Sequence, residues 1–113
     1  MSKPWPSELV FQRGAKALAI AFDDGARFLI PFELLRVESP SAEVRGHGGG
    51  PLPAIAGKEG VSVKDAFPVG RYAVRIAFDD GHETGLYSWD LLYELGRDRD
   101  ARMAAHNKRI GRT

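Results

Sequence analysis

Large apolar residues alternate with small or polar residues along two stretches of the chain. The first stretch runs from Lys16 to Phe22, and its large residues are Leu18, Ile20 and Phe22. The second stretch runs from Arg71 to Phe78, and its large residues are Tyr72, Val74, Ile76 and Phe78. A period of two residues is typical of a strand with one buried face, so both stretches are predicted to be strands that turn their large side chains to a core.

Both predicted strands end in the same sequence, Ile-Ala-Phe-Asp-Asp-Gly, and the similarity continues beyond it. The first copy extends from Ile20 to Leu35 and the second from Ile76 to Leu95. Asp-Asp-Gly predicts a tight two-residue hairpin turn, because glycine tolerates the positive φ that such turns require. Gly25 and Gly81 are therefore predicted to be structural residues of a strand-turn-strand-helix unit that the chain contains twice.

The helix of each unit begins at a characteristic residue. Pro31 is predicted at the first helical position of the first unit, where its missing N–H costs nothing. In the second unit Ser88 is predicted to be the N-cap, because a serine side chain accepts a hydrogen bond from the first turn. Trp89 follows this cap and shares an apolar stripe with Leu92 and Leu95, so we expect it to be largely buried.

The remaining apolar segments complete the predicted fold, which is a single α+β domain over residues 1–113. Glu8 to Gln12 and Val61 to Phe67 are predicted to be strands, and Trp5 is expected to dock on the body of the protein. We expect one mainly antiparallel sheet of five or six strands, made from two hairpins and the Val61 to Phe67 strand. The short helix and the C-terminal helix should pack on this sheet. Gly96 is predicted to end or kink the C-terminal helix, ahead of a basic helical tail at residues 97–113.

Residues 38–60 are rich in glycine and proline, which disfavour helices and central strands. This composition predicts a flexible loop. The glycines between Arg45 and Gly50 do not indicate a phosphate site, because no Lys-Ser or Lys-Thr pair follows them and no strand-to-helix junction frames them.

The composition narrows the classes of partner. The 113 residues carry a formal net charge of +1, so neither nucleic acid nor a membrane is expected as a partner, and the oligomeric state stays open. The absence of cysteine excludes a disulfide framework, a thiolate metal site and a cysteine nucleophile. Together with the lack of an apolar N-terminal segment, it leads us to expect a cytoplasmic protein.

The stretch from Pro68 to Leu92, which contains the second Asp-Asp-Gly, closely resembles the signature of the gamma-butyrobetaine hydroxylase-like N-terminal domain family. The sequences Phe22 to Gly25 and Pro31 to Val37 are similar to the first half of the same family, so the resemblance covers about Leu9 to Leu95. Members occur as small free-standing bacterial proteins of unassigned function. They also occur as the N-terminal domain of 2-oxoglutarate-dependent carnitine-synthesis dioxygenases, and as an appendage on P-loop iron–sulfur cluster carrier proteins. The resemblance implies an α+β fold and an accessory rather than a catalytic module.

The resemblance also implies a position for a structural zinc, held in the dioxygenase members by three cysteines and one histidine. His82 matches the histidine, whereas the cysteine positions fall on Ser39, Ser41 and Val44. Seryl hydroxyls are poor substitutes for thiolates at zinc, so we expect no cofactor and a protein that folds without metal.

His82 and Asp80 are nevertheless the candidate ligands for a divalent cation such as zinc or iron. The alternative for His82 is a histidine beside a turn that is bonded to a nearby carboxylate such as Asp80.

A stripe of basic residues marks the C-terminal helix. Arg99, Arg102, His106 and Arg109 recur at intervals of three and four, which places them on one helix face. They are the candidate partner-binding residues, and the partner that such a stripe would bind is an acidic protein or RNA. The alternative is an ordinary solvated face.

Three classes of function stay open from the sequence. The first is a scaffold or interaction module, linked by its fused relatives to iron–sulfur protein maturation or acting in trans for a 2-oxoglutarate-dependent oxygenase. The second is a metal-binding protein that uses His82. An enzyme is the least expected class, because such oxygenases need a His-x-Asp or His-x-Glu pair. The residues two places after His47, His82 and His106 are Gly49, Thr84 and Lys108.

Overall fold

The structure is a computed structural model that describes residues 3–41 and 54–112. Its elements in chain order are β1 (Pro6–Gln12), β2 (Ala17–Phe22), β3 (Arg27–Pro31), α1 (Phe32–Val37), β4 (Val63–Val69), β5 (Ala73–Phe78), β6 (Gly85–Ser88), α2 (Trp89–Arg97) and α3 (Arg99–Arg109). The α+β class is confirmed. The strands, however, form two three-stranded antiparallel sheets, in the orders β1-β2-β3 and β4-β5-β6, rather than the one sheet that the sequence predicts.

The repeat is longer than the sequence shows, because each copy also includes a first strand. The register of β1 against β2 shifts just after Pro6, which pairs with Phe22, and the register of β4 against β5 shifts just after Val63, which pairs with Phe78. The sequences of β1 and β4 have no visible similarity, so only the structure reveals that these strands are equivalent. We call residues 6–37 unit 1 and residues 63–97 unit 2.

The two units share one apolar core. Its residues in β2 and β5 are those predicted by the alternating pattern: Leu18, Ile20 and Phe22 in β2, and Val74, Ile76 and Phe78 in β5. The other strands and the helices add further buried residues, among them Ile30, Phe32, Leu34, Leu35, Val63, Tyr87, Leu92 and Leu95. Tyr72 differs from the prediction, since it lies in the turn before β5 and is 61% exposed. Each unit therefore buries its sheet only in the presence of the other.

The Asp-Asp-Gly turns are three-residue loops, which corrects the predicted two-residue turns. Gly25 N–H donates to the carbonyl of Phe22 at 3.1 Å, and Phe22 N–H donates to the carbonyl of Ala26 at 2.8 Å. The second loop has the same pattern around Gly81. Gly25 and Gly81 have φ values of 91° and 94°, whereas the aspartates do not have positive φ. The structural role predicted for both glycines is confirmed, as the left-handed residue of a hairpin loop of this length.

The helix starts agree with the sequence in unit 2 and differ in unit 1. Ser88 is the N-cap of α2, and its hydroxyl accepts a hydrogen bond from Leu91 N–H at 3.1 Å. Pro31 is itself the N-cap of α1 with an extended ψ of 141°, so the helix begins one residue later than predicted, at Phe32.

Trp89 is only partly buried, which corrects the prediction of a largely buried anchor. Its indole Nε1–H donates to the carbonyl of Arg71 at 2.7 Å, at the edge of the core. Leu92 and Leu95, on the same stripe, are fully buried and anchor α2 instead.

The first residues of the predicted 38–60 loop are packed against the body, contrary to the prediction of a flexible loop. Glu38, Ser39 and Ser41 are all buried. Residues 42–53, which include Val44, His47 and the glycines between Arg45 and Gly50, lie outside the described residues.

The predicted break between two C-terminal helical segments is present, but it falls at Asp98 rather than at Gly96, which lies inside α2. The helix ends at Arg97, and Asp98 with φ −101° and ψ 16° separates it from α3. A Cβ atom on Gly96 would collide with the side chain of Phe28 in β3. Glycine at this position therefore lets α2 of unit 2 approach a strand of unit 1.

Replacing Gly96 by alanine tests this close approach. In an open helix position the change would stabilise by about 1 kcal/mol through helix propensity. Here we expect the Gly96→Ala variant to lose about 1–3 kcal/mol, because the added methyl group forces Phe28 to move. Thermal and urea unfolding measure the difference. Gly60→Ala is the control, since a Cβ on Gly60 meets no atom within 4 Å. A Gly96→Ala variant as stable as the wild type would contradict this packing.

Candidate functional site

The first aspartate of each Asp-Asp-Gly turn forms two hydrogen bonds with the backbone of the residue that directly precedes the first strand of its own unit. Asp23 Oδ1 accepts Trp5 N–H at 3.0 Å, and Asp23 N–H donates to the carbonyl of Trp5 at 2.8 Å. Asp79 makes the same two hydrogen bonds with Ser62, at 3.0 and 2.9 Å. Both carboxylates therefore fix the position of the backbone where the chain enters the first strand of a sheet.

The second aspartate of the first turn bonds within its loop and across to unit 2. Asp24 Oδ1 accepts Ala26 N–H at 2.9 Å, and Asp24 Oδ2 accepts the Tyr93 hydroxyl from α2 at 2.7 Å. The hydrogen bond from Ala26 has the larger effect and that from Tyr93 the smaller, and both lower the pKa of Asp24 below its ordinary value. The same contact raises the pKa of the Tyr93 hydroxyl.

The second aspartate of the second turn bonds across to unit 1. Asp80 Oδ1 accepts His82 N–H at 3.0 Å, while Asp80 Oδ2 accepts Arg36 Nε of α1 and Lys58 Nζ, each at 2.7 Å. Burial acts to raise the pKa of Asp80, but the hydrogen bonds from Lys58, the His82 amide and Arg36 together lower it to about 2. Asp80 is thus firmly ionised at neutral pH.

These contacts between the units are reciprocal. Arg36 lies five residues after Pro31 and Tyr93 lies five residues after Ser88, so both occupy the same position of the repeat. The helix of each unit thus reaches the turn of the other unit through an equivalent side chain. The repeated Asp-Asp-Gly sequence is accounted for by these hydrogen bonds, which join the two halves of the fold.

The candidate metal ligands His82 and Asp80 turn their side chains to different partners. His82 is buried, and its Nε2 shares a hydrogen bond with Ser39 Oγ at 2.9 Å. Asp80 bonds to His82 through the backbone N–H, and the alternative of a histidine beside the turn that bonds to Asp80 is met in this form. Within residues 3–41 and 54–112, no group of three or more histidine, cysteine, aspartate or glutamate residues is arranged to hold a metal ion.

Three of the four positions implied for zinc, Ser39, Ser41 and His82, are buried close together, while Val44 lies outside the described residues. Ser39 contacts His82, and Ser41 Oγ shares a hydrogen bond with Thr84 Oγ1 at 2.6 Å. Gly85 is required beside them, because a Cβ there would collide with Ser39 Oγ. Hydroxyl and imidazole donors of this kind do not fit a structural zinc site, which takes thiolates and imidazoles. Here the segment after α1 is tied to the second hairpin by hydrogen bonds, while folding without zinc stays a prediction.

The basic stripe on α3 faces the body of the protein, so the alternative of a solvated face is wrong for most of it. His106 is fully buried, with its Nε2 at 2.8 Å from Glu33 Oε2. Arg102 donates to Glu38 Oε1 at 2.6 Å, and Arg99 donates to the carbonyl of Leu29 at 3.1 Å. The Nε atom of the fourth member, Arg109, is also buried. Binding of a partner by these four residues stays a prediction.

An open pocket with aromatic walls lies beside the N-terminus of α2. Its cavity of about 190 Å³ is lined by Lys3, Pro4, Trp5, Tyr72, Ser88, Trp89 and Asp90. We call it the aromatic pocket. Trp5 meets Trp89 edge to face, with ring centroids 6.2 Å apart, and stays 49% exposed, so its predicted docking is only partial. The pocket was not predicted, because Trp5 and Tyr72 are distant in sequence and Tyr72 was assigned to the core.

The charged side chains at the aromatic pocket are those of Lys3 and Asp90, which form an ion pair at 2.7 Å. Both are well exposed to solvent. A second depression shares Lys3, Pro4 and Asp90 and continues along α2 past Tyr93 and Glu94 to Arg97.

A profile of the family described as gamma-butyrobetaine hydroxylase-like, N-terminal matches residues 9–93, and the chain belongs to this family. No curated protein matches the chain significantly. Within the described residues, no helix is long and apolar enough to cross a membrane.

Solved structures of similar proteins share this fold. A crystal structure from Acidithiobacillus ferrooxidans, of a protein with unknown function in the DUF971 family, is 36% identical over 84% of this chain and 98% of its own, with a TM-score of 0.71. Two solution NMR structures are 42% and 37% identical, with TM-scores of 0.82 and 0.83. They cover 96% and 97% of this chain, and 81% and 86% of their own. The family to which the chain belongs is thus one of unknown function.

The charge state of Asp80 predicts a pH dependence of stability. Its pKa is about 2 in the folded protein against an ordinary value of 3.8. The lowered pKa stabilises the fold fully above about pH 4, and this contribution is lost as the pH falls toward 2. We expect Asp80→Asn to be less stable than the wild type at pH 7, with a difference that shrinks between pH 4 and 2.

Unfolding in urea across this pH range measures the effect. Asp100→Asn is the matched control, because the Asp100 side chain is 90% exposed and pairs only with its neighbour Arg99. A difference between wild type and Asp80→Asn that stays constant from pH 7 to 2 would contradict the assignment.

Proposed function

We propose that this protein is a non-catalytic interaction module that binds another protein through the aromatic pocket. The observation that carries the proposal is the exposure of Trp5 and Tyr72 beside Trp89 around an open cavity. Tryptophan and tyrosine are enriched at protein interfaces and among the residues that dominate binding energy. A cavity of 190 Å³ is smaller than the roughly 300–1,000 Å³ typical of small-molecule sites and suits a single side chain.

The non-catalytic part of the proposal is supported by the contacts of the candidate catalytic groups. Asp79 bonds to the backbone of Ser62, Asp80 is neutralised by Arg36 and Lys58, and the His82 imidazole is buried against Ser39. These contacts give each group a structural role. A metal-binding function for His82 and Asp80 has less support, because their side chains bond to separate partners.

The partner is proposed by analogy alone, since function does not follow from fold. The resemblance to domains fused to iron–sulfur cluster carriers and to oxygenases favours two kinds of partner. One is a protein of iron–sulfur maturation, and the other is a 2-oxoglutarate-dependent oxygenase assisted in trans. We place this interaction in the cytoplasm, in keeping with a chain that has no cysteine.

A comparison of variants tests the interaction. We expect the wild-type protein, immobilised through its C-terminus, to capture a reproducible set of proteins from the native cytoplasm. The double variant Trp5→Ala and Tyr72→Ala should lose them, because it removes two walls of the aromatic pocket. Val10→Ala is the control, since Val10 is an exposed apolar residue on the outer face of the first sheet. Equal capture by all three proteins, or no reproducible capture by any, would contradict the proposal.

A further inference from the structure

We propose that the aromatic pocket receives an arginine side chain of the partner protein, which displaces Lys3 from Asp90. The inference rests on the proposed interaction function and specifies its chemistry. Its observations are the ring walls of the pocket, the single exposed ion pair at its rim, and the shape of the cavity.

The walls of the pocket favour a cation. The faces of tryptophan and tyrosine rings carry partial negative charge and attract cations that lie within about 6 Å of the ring centre. Three such rings, those of Trp5, Tyr72 and Trp89, line the same cavity. The edge-to-face contact of Trp5 with Trp89 sets these two rings at 66° to each other, so they form adjoining walls rather than a closed stack.

The ion pair at the rim shows where the cation would sit. Lys3 Nζ lies 2.7 Å from Asp90 Oδ2, so an ammonium group of the chain itself already pairs with this carboxylate. The side chains of Lys3 and Asp90 are 77% and 51% exposed, and pairs this exposed contribute little to stability. The Lys3 side chain can therefore separate from Asp90 at a low cost in free energy, and a cation that binds Asp90 more tightly can replace it.

Arginine is the side chain that gains most from this arrangement. Its planar guanidinium stacks on aromatic faces and forms two parallel hydrogen bonds to a carboxylate, whereas a lysine ammonium is a strongly hydrated point charge. An apolar side chain would leave the Lys3 and Asp90 pair in place and use only the rings. An anion is disfavoured, because the Asp90 carboxylate at the rim of the pocket would repel it.

The second depression continues from the aromatic pocket along α2. It is lined by Asp90, Tyr93, Glu94 and Arg97, so its charged side chains have both signs. Glu94 also lies 3.8 Å from Arg102. The depression therefore adds no further requirement, and the proposed partner is a protein segment that presents one exposed arginine.

The two tryptophans of the chain provide the readout, because both line the aromatic pocket. The ¹⁵N-labelled full chain is titrated with the acetylated and amidated peptide Gly-Arg-Gly, and the indole N–H signals of Trp5 and Trp89 are followed by NMR. The matched peptide with citrulline has the same shape without the charge. A third peptide carries trimethyl-lysine, which has the charge but cannot donate hydrogen bonds.

We expect saturable shifts of both indole signals with the arginine peptide, with a dissociation constant on the order of 1–10 mM, as suits one side chain. The citrulline and trimethyl-lysine peptides should bind at least about fivefold more weakly. Lys3→Ala should tighten binding of the arginine peptide about two- to fivefold, because it removes the competing ammonium. Asp90→Asn should weaken it by about fivefold or more, and the control Lys64→Ala should leave it unchanged.

The tightening by Lys3→Ala is the most specific outcome, since loss of a merely structural contact would not improve binding. Equal affinity for the arginine and citrulline peptides, tighter binding of trimethyl-lysine, or weaker binding by Lys3→Ala would each overturn the proposal. If no peptide binds while the Trp5→Ala and Tyr72→Ala variant still loses its captured proteins, the interaction function stands and the arginine assignment fails.

Discussion

A side chain from the helix of each unit reaches the turn of the other unit, and these two contacts determine how the two sheets meet. Tyr93 bonds to Asp24 and Arg36 bonds to Asp80, from equivalent positions of the repeat. A sheet with one apolar face must bury that face against another element. The shared core supplies the burial, and the reciprocal polar contacts specify its geometry, because each fits only one relative placement of the units.

Most of the conspicuous polar residues of the sequence form hydrogen bonds or ion pairs within the chain. The acidic turns, the buried His82 and Ser39, and three residues of the stripe on α3, Arg99, Arg102 and His106, all bond within the chain. The aromatic pocket is different, since Trp5 is about half exposed and Lys3 and Asp90 form a pair that is open to water. The proposal of a binding surface therefore rests on the exposed rings and the exposed ion pair of the aromatic pocket.

The local elements were predictable from the sequence, whereas the contacts between distant elements were not. The period of two placed β2 and β5, and the residue chemistry of Gly25, Gly81 and Ser88 identified the turns and the cap. The division into two sheets was missed, because hydrophobic alternation gives the buried face of a strand but not its neighbours. The sequence predicts that Gly96 ends or kinks the helix, and only the position of Phe28 across the core shows why α2 contains a glycine at this position. The aromatic pocket was missed for the same reason.

A double-mutant cycle on Arg36 and Asp80 tests the central claim, that reciprocal polar contacts join the two units. The free energy of unfolding is measured for Arg36→Met, Asp80→Asn and the double variant. The account predicts a coupling energy of about 1–2 kcal/mol, because the two side chains bond directly and are only 14% and 19% exposed. The control cycle of Tyr93→Phe with Asp80→Asn joins residues of different contacts and should be additive. Additive effects of Arg36→Met and Asp80→Asn would contradict the account.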